Sequence, residues 1–110
     1  MALKRGDVVI VAHGEFGRPR PAVVVQADEL GDATTTVLVC PITSPVMERL
    51  PVRPIVEPGA ATGLRTGSQV MTDRMVAVPR GRVRGVPGAI DAETGSRFNT
   101  ALLLVLGLAR

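Results

Sequence analysis

A mainly β fold, a small and strongly bent barrel closed by one C-terminal helix, is the class this sequence predicts. Short Val-rich and β-branched runs recur along the chain, each bounded by Gly, Pro or charged turns, as expected for roughly five or six short strands. Only the stretch after Asp91 departs from that pattern, with apolar residues at helical spacing. At 110 residues, with no internal repeat and no linker long enough to divide it, the chain makes one domain, 1–110, with room for a modest core.

Taken in order, Lys4-Arg5-Gly6-Asp7 is a polar turn feeding a first strand, Val8 to Ala12. His13 to Pro21 is a loop rich in Gly, Pro and charge, and a second strand runs from Ala22 to Ala27. Pro19 and Pro21 fix their own φ and push the residues before them toward extended geometry. Arg18 and Arg20 are thereby pre-ordered on the lip of the sheet, which suits a phosphate gripped by parallel hydrogen bonds; the plainer reading of such Arg-Pro pairs, favoured on local grounds alone, is a solvated turn. Asp28 to Ala33 is an acidic surface connection. Thr34 to Cys40 is a third strand that Pro41 is expected to stop, and Ile42-Thr43-Ser44 follows as a turn closed by Pro45. Prolines flank a fourth strand, Val52 to Val56, and so place it at an edge.

After the glycine-containing loop Pro58 to Gly67 comes a fifth strand, Ser68 to Thr72, continued by Met75 to Val78 after a bend. Arg80-Gly81-Arg82-Val83-Arg84 is a basic turn, either a track for phosphates or simply solvated. It leads to a short last strand, Val86 to Ile90, that Pro87 and Gly88 are expected to break. Asp91 is a fitting N-cap with Glu93 in the first turn, and Phe98, Leu102, Val105, Leu106 and Ala109 keep the helical spacing. Leu103 and Leu104 make the last turns apolar on more than one side. Such a helix lies deep in its own core or meets a second surface, another subunit or a peptide.

Composition excludes several classes. With 45% apolar residues the chain folds, and its net charge of +3 permits nucleic-acid binding without compelling it. The longest apolar run, Ala101 to Leu106, is far below a membrane span, so a cytoplasmic protein is expected. The single cysteine, Cys40, allows no internal disulfide and reads as a small hydrophobe, with no base beside it to make it a nucleophile. One His and one Cys cannot build a zinc site, and no carboxylate cluster suggests another metal, so neither metal nor cofactor is expected. Tyr and Trp are absent, which argues against a reader that stacks several bases; Phe16 could hold one base or fold over the barrel mouth.

Several motifs coincide with one family. Gly6-Asp7-Val8-Val9, Gly17-Arg18-Pro19-Arg20-Pro21-Ala22-Val23-Val24-Val25-Gln26 and Pro41-Ile42-Thr43-Ser44 resemble the MazF/PemK toxins of bacterial toxin–antitoxin systems. Val56-Glu57-Pro58, Gly63-Leu64, Ser68-Gln69-Val70-Met71 with Asp73, Val78-Pro79-Arg80 and Leu106-Gly107-Leu108-Ala109 extend the likeness, toward the PemK branch, over nearly the whole chain. The resemblance implies an SH3-like barrel of the CcdB/MazF type, a homodimer, and sequence-selective cleavage of single-stranded RNA without metal. It further implies 2′,3′-cyclic phosphate and 5′-hydroxyl products, and a cognate antitoxin that blocks the site. It carries Arg20, Thr43 and Asp73 into catalytic positions, and Glu15 into a loop where some members place a functional Glu. Arg74 stands where a Gln often follows the acidic residue, and Val76-Ala77-Val78-Pro79 replaces a usual Arg-Thr-Ile-Asp. These two departures leave the acid/base assignment and the RNA word open.

Metal-free RNA cleavage needs removal of the 2′-hydroxyl proton, stabilisation of charge on the phosphoryl oxygens, and protonation of the leaving 5′-oxygen. Arg20 suits the second task and cannot serve as base, since its charge is permanent. Asp73 is the best base candidate, or else a turn former. Thr43 or Ser44 can donate to a phosphoryl oxygen. His13 is either the acid or an unpartnered loop residue. Arg18, Phe16, Arg74 and Arg80 complete the expected RNA contacts. Two other classes stay in view. A gyrase poison of the CcdB kind works through C-terminal residues including a Trp, which this chain lacks; a barrel that binds nucleic acid without cutting it is disfavoured by scarce aromatics and modest charge.

Overall fold

The computed structural model describes residues 2–12, 18–46 and 49–109. In chain order they form β1 (Asp7–Val11), β2 (Arg20–Val24), β3 (Thr36–Thr43), β4 (Ile55–Val56), β5 (Ser68–Val70), β6 (Val76–Pro79), β7 (Val83–Ala89) and the helix α1 (Ala92–Val105). The strands make one seven-stranded sheet in the order β4-β5-β3-β2-β1-β7, with β6 joined to β3 off this path. Every pairing is antiparallel.

The longest strand, β3, has β2 along one edge and two successive partners along the other. Thr36 to Val39 pair with β6, and Ile42 and Thr43 pair with β5. Serving both partners curls the sheet. A 3-10 turn, Arg80–Arg82, then carries the chain from β6 to β7 on the far edge of β1. Two backbone bonds fasten that crossing: Arg80 N–H to Thr35 O (3.3 Å) and Ala12 N–H to Arg82 O (2.9 Å). The result is a curled half-barrel.

Alternation along the strands sends valines to both faces. Val9, Val11, Ala22, Val24, Val37, Val39, Val78 and Val83 fill the inside of the curl. Val8, Val23, Cys40, Ile42, Val56 and Val70 face the other way, where Phe98 and Leu102 of α1 cover them. Asp91 caps the helix, its Oδ1 accepting the Thr94 N–H at 2.8 Å. Gly107, with φ +73°, ends it in the left-handed region that glycine tolerates. Arg5 clips helix to sheet: its guanidinium lies 5.5 Å from the centre of the Phe98 ring and donates to Val25 O (2.9 Å) and Asn99 Oδ1 (2.7 Å).

The elements depart from expectation at the prolines. Pro41 does not stop β3, which runs on to Thr43. Its carbonyl accepts from Met71 N–H, so its nitrogen faces the same side, at the gap between the last β6 pair and the first β5 pair. A missing donor costs no ladder bond there. Pro87 and Gly88 do not break the last strand, which starts earlier, at Val83, and pairs only with β1. Gly88 is required, because a Cβ there would lie 2.2 Å from Ala61 O. The fourth strand shortens to Ile55–Val56, the fifth ends at Val70, and the helix stops at Val105 rather than Ala109.

Phe98 is the largest side chain with which α1 meets the outer valine face, and it is 0% exposed. Phe98→Ala is expected to cost about 3–5 kcal/mol in urea denaturation, the range for truncating a fully buried aromatic.

Candidate active site

β2 begins at Arg20, which pairs with Val11 at the end of β1. The β2–β3 pairs end at Ala22 with Pro41, and Arg20 and Thr43 each lie two residues further toward the same end of the sheet. Thr43 pairs in turn with Gln69 of β5, Gln69 with Ile55, and on the other side Val11 with Val83. One row thus lies at one end of the curl, paired throughout except between Arg20 and Thr43: Val83, Val11, Arg20, Thr43, Gln69, Ile55. Directly opposed residues of neighbouring strands point to the same face with Cβ atoms about 4.5–5.5 Å apart. Arg20 and Thr43, on adjacent strands, are both half-buried at that end.

The Arg20 guanidinium has neither an ion pair nor a hydrogen bond among the described residues. Past Thr43 the chain turns away through an exposed Ser44, whose peptide bond to Pro45 is cis. The third polar member of the row, Gln69, is 1% exposed, and no buried polar side-chain atom among the described residues lacks a partner. Sequence reasoning misses its place in the row, although an amide between Ser68 and Val70 in a buried strand is a signal in itself.

Asp73 lies in a 3-10 turn, Thr72–Arg74, between β5 and β6. Its two carboxylate oxygens accept from Arg53 Nε and Nη2 at 3.0 and 2.9 Å. That bidentate contact, aided by Arg74, holds the Asp73 carboxyl below the usual carboxylate range against a smaller opposing effect of burial. The Thr72 hydroxyl donates to Val52 O, and Val70 N–H to Pro54 O at 3.0 Å, so the turn and residues 52–54 are tied together at several points. The structure thus sets Arg20 and Thr43 at one end of adjacent strands, and joins Asp73 with Arg53. Nothing in the sequence singles out Arg53, because its partner is twenty positions away.

The other candidates fall in different places. Arg80 is engaged structurally: its guanidinium donates to Thr34 O (2.7 Å), Gly31 O (2.7 Å) and Thr34 Oγ1 (3.3 Å), bracing the β2–β3 connection. Arg18 and Arg74 are exposed. His13, Glu15 and Phe16 lie outside the described residues. Burial pushes the Cys40 thiol up to about 12, which leaves it unreactive at neutral pH. Among the described residues no three His, Cys, Asp or Glu side chains gather to hold a metal, and no helix is long and apolar enough to cross a membrane. On the helix side an apolar groove of about 520 Å³ opens between Leu30, Leu38, Met75, Leu102, Leu103 and Leu106.

A curled, helix-backed antiparallel sheet is the fold that the family motifs imply. The model of the PemK-like, MazF-like toxins of type II toxin–antitoxin systems matches residues 4–106. The chain belongs to that family. A relative from Mycolicibacterium smegmatis named a probable endoribonuclease MazF is 37% identical over 109 residues, 97% of this chain and 99% of the relative. Among solved structures, a mycobacterial endoribonuclease in complex with its cognate antitoxin superposes with a TM-score of 0.82 at 21% identity, covering 98% of each chain. The Mycobacterium tuberculosis toxin MazF-mt6 gives 0.81 at 22% identity over 94% of this chain and 99% of that one. A MazE–MazF structure from Deinococcus radiodurans gives 0.79 at 19%, covering 99% of both. The expected MazF-type barrel with its C-terminal helix is therefore the fold observed.

Because the Asp73 carboxyl is depressed in the folded state, its pairing with Arg53 contributes stability at neutral pH that is lost as pH falls below about 4. Arg53→Gln should raise the Asp73 pKa toward the ordinary carboxylate value in an NMR titration and flatten the acid loss of stability.

Proposed function

We propose that this MazF-like chain is an endoribonuclease toxin that cuts single-stranded RNA at a selected sequence by metal-independent transesterification. The products would be a 2′,3′-cyclic phosphate and a 5′-hydroxyl end, with a cognate antitoxin holding the activity in check. The observation that carries the reading is the Arg20 guanidinium, without a partner among the described residues, at the same end of the half-barrel as Thr43. Attack of the 2′-oxygen on phosphorus puts negative charge on the phosphoryl oxygens. Arg20 meets that charge with two parallel N–H donors, and Thr43 Oγ1 or Ser44 Oγ supplies a third. Arg20 is a charge stabiliser and not a proton carrier.

Asp73 acts at one remove. A carboxylate held below its ordinary pKa accepts a proton poorly, so its part is to fix Arg53 and the segment that follows the Thr43–Ser44 turn. His13 and Glu15 are the remaining acid/base candidates, a few residues before Arg20 in sequence.

The same reading includes a homodimer, with a second copy covering the end of α1. Leu103, Leu104, Leu106 and Leu108 are between 46% and 68% exposed there, beside the apolar groove. The antitoxin complex among the structural neighbours supports an antitoxin partner.

Purified protein mixed with unstructured RNA in EDTA should release cyclic-phosphate ends. Arg20→Ala should slow cleavage by roughly 10²–10³-fold, the loss typical of one oxyanion donor. Intact RNA from folded wild-type protein that still binds it would leave a binding barrel without catalysis. If Asp73 works through Arg53, Asp73→Asn, Arg53→Gln and the double variant should slow cleavage by similar factors, because the two residues act as one unit.

A further inference from the structure

We propose that Arg82 and Arg84 form a second phosphate-binding position, for a nucleotide flanking the one held by Arg20 and Thr43; the assignment rests on the ribonuclease reading above. The row through the site places them. Val83 pairs with Val11, and Val11 with Arg20, so the start of β7 lies two strand spacings, about 10 Å, from Arg20 at the same end of the sheet. Arg82 is anchored there by its carbonyl, which accepts the Ala12 N–H at 2.9 Å.

Arg84 owes its setting to an irregularity. The β1–β7 register passes from Ile10–Gly85 to Val11–Val83, so β7 carries one extra residue at this point, and that residue is Arg84. Such a bulge frees a residue from the ladder and re-aims its side chain, a device common at sheet edges beside active sites.

The basic run after Pro79 therefore divides by role. Arg80 is engaged with Gly31 and Thr34. Arg84 is exposed and Arg82 half-buried, and neither guanidinium has an ion pair or hydrogen bond among the described residues. The described carboxylates that form ion pairs, Asp73 and Glu93, do so with Arg53 and Arg97. Among the described residues, Arg20, Arg82 and Arg84 thus stand without a charge partner at one end of the sheet, in a chain too poor in aromatics to hold a single strand by base stacking.

The test measures binding to a mixed-sequence pool of 2′-O-methyl RNA oligonucleotides, which lack the nucleophile and cannot be cut, over a range of salt concentrations. For Arg82→Gln, Arg84→Gln and the double variant, affinity should fall and the dependence of log K on log salt should become shallower by roughly 0.7 for each phosphate no longer neutralised. A merely structural role would not move that slope. Arg80→Gln is the contrast, lowering the melting temperature without changing the slope. The exposed Arg84 keeps the test readable if Arg82→Gln fails to fold. An unchanged slope in folded Arg84→Gln and double variants overturns this assignment while leaving the Arg20 reading intact. Failure of the wild-type protein to bind or cut any RNA overturns both.

Discussion

The constraint on which the rest of this structure depends is that β3 serves two partners along one edge. While β6 holds its first half and β5 its second, the strand cannot lie flat, and the sheet must curl. The curl lets the short 3-10 turn at Arg80–Arg82 reach from one side of the sheet to the other. It also carries the end of β3 out to the lip, with β2 on one side and β5 on the other. Thr43 stands between Arg20 and Gln69 for that reason. Valine suits such a sheet: β-branched side chains are at home on a pleated surface, and they are small enough to fill the inside of a tight bend.

Electrostatics sort the arginines into two kinds. Arg53 and Arg80 are satisfied, one by a carboxylate and the other by backbone carbonyls and a threonine hydroxyl, and both fasten loops. Arg20, at the lip, has no partner among the described residues. A guanidinium already matched by a neighbouring carboxylate has little attraction left for an anion, whereas a bare one in a half-buried setting interacts with a phosphate through a lower dielectric than bulk water. Sequence reading treats all of these residues as positive charge. Their difference arises only from what the fold sets opposite each one.

Much of the architecture is legible in the sequence, because it rests on local rules. The valine runs mark most of the strands, and Asp91 marks the start of the helix. Arg20 and Thr43 are marked by the Arg-Pro-Ala-Val and Pro-Ile-Thr-Ser motifs, and the β2–β3 pairing brings both to the same end of the sheet. The points where sequence and structure part share one cause. Pro41 and Pro87 read as strand breakers from the chain alone, but whether a proline breaks a strand depends on which edge its missing donor faces. That is a property of the neighbour, not of the residue. Arg53 with Asp73, and Arg80 with Thr34, are invisible for the same reason, since each contact joins segments far apart in sequence.

The clip made by Arg5 bears on the order of assembly. Its bond to Asn99 spans 94 positions, and its guanidinium lies against the ring that seals the outer valine face. A contact between such distant residues cannot close until both have been synthesised. During translation the strands are made first, with one side of the sheet still open to water. That side is covered only once segment 92–105 has emerged from the ribosome and docked.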